Sequence, residues 1–190
     1  IRDDRSSRGL GDVSKRQLFY MGIAASAQGD TQAAERYYVK ELVLEPDNPI
    51  VRANLANAYE NMGRHGEAID TFADILAQWP EMTDVQYSLG RVLQGTGRVN
   101  GAAAQYRALP TTSPHRKLAD NNLGTLFEQV GRVDSALFYY SRAVALKEAK
   151  DNYRRLFGRQ LQQIRKWLDS GQLQQAEFSA RVLVGADPEQ

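Results

Sequence analysis

Cysteine is absent from the 190 residues, which excludes disulfides, thiolate metal sites and thiol catalysis. The same absence leaves the redox compartment open. Only two histidines occur, His65 and His115, far apart and without a second ligand at metal spacing. No apolar run approaches the roughly 18 residues needed to span a bilayer. The opening stretch from Ile1 to Arg8 is charged and polar, with no apolar segment to serve as a signal peptide. Charge of one sign is also missing: 24 Lys and Arg face 23 Asp and Glu, so nothing pulls the whole chain toward nucleic acid or membrane. The glycines do not cluster into a phosphate-cradling loop. Neither an enzyme nor a bound cofactor or metal is expected.

What is present is a period. Gly29, Gly63, Gly97 and Gly131 stand 34 residues apart, and Gly171 follows after 40. Each has an alanine five residues later: Ala34, Ala68, Ala102, Ala136 and Ala176. Pro46, Pro80, Pro114 and Pro188 lie 17 residues past their glycines, while Glu148 takes that place after Gly131. Such a period marks an array of supersecondary units stacked on one another. A hydrophobic fraction of 42% and a mean hydropathy of −0.53 suit an elongated stack with much surface per residue.

With each glycine at position 15 of its unit, the other positions align. Position 7 reads Met21, Leu55, Leu89 and Leu123, and position 8 reads Gly22, Ala56, Gly90 and Gly124. Position 11 reads Ala25, Tyr59, Leu93, Phe127 and, after realignment, Trp167; position 24 reads Tyr38, Phe72, Tyr106 and Tyr140. These steps are helical, and small residues at 8 and 20 let two helices approach closely while rings at 24 fill between neighbours. Each unit is therefore expected to be helix A, a glycine turn and helix B. Asn100 and Asp134 are the expected N-caps of their B helices. Pro110 is expected to shorten the third B helix, and the six residues from Asp151 to Leu156 to lengthen a final A helix over about 151–169.

This signature resembles the tetratricopeptide repeat, in units 15–48, 49–82, 83–116, 117–150 and 157–190, about nine-tenths of the chain. The last unit departs from it with Gln163 and Ile164 at positions 7 and 8. The resemblance implies an all-α, right-handed superhelical solenoid of helix-turn-helix repeats, preceded by a flexible leader over 1–14. The missing initiator Met and the missing cap helix after Glu189 suggest a piece of a longer protein. The exposed last B helix, around Leu173, Val182 and Leu183, is then expected to promote weak self-association.

In such a fold the A helices line a groove that takes extended peptides. Asn54 and Asn122, at position 6, resemble the asparagine ladder of O-linked N-acetylglucosamine transferase repeats, where a carboxamide clasps a peptide backbone. Solvated surface asparagines are the plainer reading. Asn57, Tyr87, Arg91 and Glu128 are the remaining candidate groove residues. The dicarboxylate clamp of heat-shock cochaperones is not matched, because Ala53, Asn57, Ser88, Leu118 and Asn122 stand at its positions and supply no cation. Residues 147–166 carry seven cations against two acids. Arg155, Arg159 and Lys166 there form a basic stripe, expected on the convex side opposite Phe157, Ile164 and Leu168, either solvated or facing an acidic partner or membrane surface.

The function implied is a non-catalytic scaffold that binds a protein or peptide. The alternative is a substrate-recognition or regulatory domain of a larger enzyme or membrane protein, such as a glycosyltransferase. A soluble, cytoplasmic setting, or a soluble portion of a membrane protein, goes with either.

Overall fold

The computed structural model describes residues 17–185. The expected leader and Pro188 lie outside them. Helix dominates, and no strand occurs among the described residues. The chain divides into two compact units, Ile1–Arg98 and Val99–Gln190. The first holds α1 (17–27), α2 (Thr31–Leu44), α3 (Pro49–Asn61), α4 (His65–Gln78) and α5 (Thr83–Gly95). The second holds α6 (Val99–Ala108), α7 (Arg116–Gln129), α8 (Val133–Arg142), α9 (Lys147–Asp169) and α10 (Leu173–Gly185). Within each unit, helices pack mainly on their neighbours in sequence, as α2 on α3 and α7 on α8.

The periodic residues build the cores. Tyr38, Phe72, Tyr106 and Tyr140 are fully buried, as are the alanines at position 20. Where position 24 is Tyr38 or Tyr140, the ring demands glycine at position 8: a Cβ on Gly124 would sit 2.5 Å from Tyr140 Cδ1, and Gly22 faces Tyr38 in the same way. The buried phenols keep polar partners, Ser26 for Tyr38 at 3.3 Å and Asn122 for Tyr106 at 3.1 Å. Met21 breaks the position-7 pattern: it is exposed, where Leu55, Leu89 and Leu123 are buried.

Each turn closes alike. The five periodic glycines all have φ between 73° and 80°. The amide of the residue after each donates to the carbonyl at position 11, as from Arg64 to Tyr59 at 2.9 Å and from Arg132 to Phe127 at 2.8 Å. This is the Schellman end of helix A, which places its glycine in the left-handed region. The B helix then begins at once, so its cap is the residue directly after the glycine. Asp30 plays that part, accepting from the Ala33 amide at 2.9 Å. Asn100 and Asp134 therefore lie inside α6 and α8 and do not cap them. Before the prolines the chain is extended, with Glu45 at φ −137° and Trp79 at φ −131°.

In the second unit α6 ends at Ala108, as Pro110 predicts. α9 starts at Lys147, earlier than expected: α8 stops at Arg142, and no proline stands at 148 to delay the next helix. Its buried residues are Ala149, Leu156 and Ile164, while Leu168 is 52% exposed, so the expected apolar stripe is rotated. Leu183 is buried in α10, against the expectation that it is uncovered; Leu173, Phe178 and Val184 are the exposed large apolar side chains there.

Candidate peptide-binding surface

In the first unit the A helices α3 and α5 share one polar surface. Asn54, Asn57 and Asn61 follow one another along α3 at steps of three and four, as do Asp84, Tyr87 and Arg91 along α5. Arg91 Nη2 donates to Glu60 Oε1 at 2.6 Å, which ties the two helices. Asn54 and Asn57 are half-buried, and Asn54 Nδ2 donates to its own helix at the Ile50 carbonyl, 2.9 Å away. Ile50 adds an exposed apolar edge at the start of α3.

The second unit repeats the device between α7 and α9, but spends more of its side chains internally. Asn122 Nδ2 donates to the Tyr106 phenol, and Asn152 Nδ2 to the buried Asn121 Oδ1 at 3.4 Å. Glu128 receives Arg155 through both carboxylate oxygens at 2.7 Å and the Tyr140 phenol at 3.0 Å. Arg159 lies 3.9 Å from the same carboxylate. The Arg155 guanidinium holds the Glu128 carboxyl below its ordinary range against the opposing effect of burial. Burial pushes the Tyr140 phenol up to about 12. Arg155 and Arg159 thus turn to Glu128 of α7 and are not the free basic stripe expected with Lys166. Lys166 is exposed.

One site escaped sequence reading. Arg116 donates from Nη1 to the carbonyls of Tyr106, Arg107 and Leu109, at 3.4, 3.4 and 2.9 Å, and so supplies the bonds that the shortened α6 lacks. Asp120, 2% exposed, holds Arg116 through Nε at 3.2 Å and through Nη2, and it meets Arg142 Nε at 3.2 Å. The spacing of Arg116 and Asp120, four apart on α7, was the available signal. His65 and His115 fall in separate units, and no group of metal-ligating side chains forms among the described residues.

The model of the family described as "Tetratricopeptide repeat" matches residues 21–83 and 87–153. The chain belongs to the tetratricopeptide repeat family. Members of this family generally mediate protein–protein interaction. The chain is 28% identical over 126 residues to small glutamine-rich tetratricopeptide repeat-containing protein 2 of Mycosarcoma maydis, covering 66% of this chain and 36% of that one. It is 35% identical over 80 residues to the tetratricopeptide repeat and J domain-containing co-chaperone DNJ1 of Cryptococcus neoformans, covering 42% and 15%. It therefore spans about a third or less of these relatives' length. Among solved structures, Pseudomonas aeruginosa PilF aligns with a TM-score of 0.70 at 17% identity, covering 93% of this chain and 78% of that one. MamA aligns at 0.66 and 17%, covering 90% and 91%.

Proposed function

We propose that this tetratricopeptide array is a non-catalytic interaction module whose first unit binds an extended peptide across α3 and α5. The observation that supports it is the contrast between the units. Asn54, Asn57 and Tyr87 lie on one surface with Arg91, whose bond to Glu60 stays at that surface, whereas Asn122 and Glu128 are bonded to the buried phenols of Tyr106 and Tyr140. Carboxamides supply both donor and acceptor to a peptide backbone, and Tyr87 and Arg91 select side chains. Asn122 and Glu128 then act as positioning residues of the second unit. A second reading keeps this surface as the recognition part of a larger enzyme or membrane protein. What supports it is that the matched region is a minor share of each relative's chain, as a recognition part of a longer protein would be. Among the described residues no helix is long and apolar enough to cross a membrane, and a cytoplasmic setting goes with this proposal.

A displayed library of unstructured peptides tests it. Selected peptides should weaken about 2- to 13-fold on Asn54→Ala or Asn57→Ala, the equivalent of one net hydrogen bond of about 0.5–1.5 kcal/mol. Arg91→Glu should shift the charge preference of the selection. Peptides that bind both asparagine variants as tightly as the parent protein place the site elsewhere.

A further inference from the structure

The cations of α9 fall into two groups. Arg155 and Arg159 turn to Glu128. Lys147, Lys150, Arg154, Arg165 and Lys166 are exposed and have no ion-pair partner among the described residues. Along the same side, Lys147, Arg154, Leu161 and Leu168 recur every seven residues, with Lys150, Phe157 and Ile164 at the same step between them. This is the a/d order of a helix that pairs with another helix. Ala149 and Leu156 pack inward on another side, and Asn152 and Arg155 meet α7; of the seam, Ile164 is buried, while Lys147, Lys150, Arg154, Leu161 and Leu168 stay exposed. Leu161 and Leu168 are 50% and 52% exposed.

The seam is divided lengthwise. Its first two turns are basic, with Asp151 the acid that borders them, and its last two are apolar, with Ile164 buried at their floor and Arg165 the cation that borders them. A helix lying on a membrane carries its apolar stripe along its whole length, with cations on the polar face. Division along the axis instead matches a partner helix that is acidic at one end and apolar at the other.

We propose that this ridge of α9 docks an amphipathic helix of a partner protein. Apolar side chains of that helix cover Leu161 and Leu168, and its carboxylates lie over Lys147, Lys150 and Arg154. The ridge lies in the second unit; the peptide site proposed on α3 and α5 lies in the first.

The probe is a displayed library of helical peptides whose heptad positions vary between Leu and Ala and whose remaining exposed positions vary between Glu and Lys. Selection should enrich Glu over Lys at one end of the helix and Leu over Ala at the other, each by about tenfold or more. Lys150→Glu/Arg154→Glu should reverse the charge preference. Leu161→Asn/Leu168→Asn should weaken a selected peptide by about tenfold or more while leaving the circular dichroism spectrum unchanged. Lys150→Gln/Arg154→Gln, a milder pair, should abolish the preference without reversing it. Three results would overturn the proposal: enrichment indifferent to charge, selected helices that bind all variants equally, or tighter binding to phosphatidylserine vesicles than to any selected helix. Self-association that consumes the ridge, seen as sedimentation of a dimer that Lys150→Glu/Arg154→Glu dissolves, would assign it to a second copy and overturn the proposal equally.

Discussion

Asp120→Ala gives the sharpest test of the second unit. The carboxylate is 2% exposed and its main partner, Arg116, 12% exposed, so solvent screens the pair little. Removing it leaves a buried guanidinium whose charge is uncompensated, although Nη1 keeps its three carbonyls. Breaking such a pair from one side costs about 3–5 kcal/mol. Arg142, more exposed at 38%, adds at most about 1 kcal/mol. Asp120→Asn retains acceptor and volume but not charge, and should cost about 1.5–3 kcal/mol. The two tryptophans separate the units, since Trp79 lies in the first and Trp167 in the second. In single-tryptophan variants, urea unfolding of Asp120→Ala should lower the Trp167 midpoint by about 1.5–2.5 M at a slope of about 2 kcal/mol/M. Arg142→Ala should move it by less than about 0.5 M on the same slope. If Asp120→Ala shifts the Trp167 midpoint no more than Arg142→Ala does, the Arg116–Asp120 pair does not hold this unit and the reasoning fails.

Other perturbations follow from the same geometry. Because Arg155 depresses the folded-state pKa of Glu128, its contribution is present above the ordinary glutamate range and lost as pH falls through the depressed value. Glu128→Gln should therefore be less stable than the parent at neutral pH, with the gap closing in acid; urea midpoints at several pH values check this. Gly131→Ala, at φ 74°, should cost about 1–2 kcal/mol, whereas Gly158→Ala, in the interior of α9 with open space around its Cβ, should gain about 0.5–1 kcal/mol. Thermal melts giving both changes the same sign would contradict the turn assignment. Phe178, 71% exposed on α10, is the apolar side chain to change in testing self-association: Phe178→Glu should lower any concentration-dependent sedimentation, while Leu183→Glu should unfold α10 instead.

The repeat register was legible because a 34-residue period records packing that recurs. Gly22 against Tyr38 and Gly124 against Tyr140 are the same contact written twice. Features that occur once left no such record. The Arg116–Asp120 brace exists only because Pro110 shortens one helix, and no other repeat shows it for comparison. Asn100 and Asp134 have the side-chain chemistry of caps, but the tight Schellman turn starts each B helix directly after its glycine and so puts them inside α6 and α8. The roles of Arg155 and Arg159 were hidden because the six-residue insertion removes the register that aligns α9 with the other A helices. Charge counting found their cluster, but only the backbone shows which of its members face Glu128.

Packing between sequence neighbours bears on how the chain is made. A helix that docks chiefly on the one before it closes only short loops, so little chain entropy stands between an unfolded hairpin and a folded one. Arrays of this kind can nucleate in more than one place and spread from there. During synthesis, α1 to α5 can complete their core while the residues of α6 to α10 are still being added. Folding in that order hides the buried tyrosine and phenylalanine of the first unit before the apolar side chains of the second emerge, which limits the time during which both are open to aggregation.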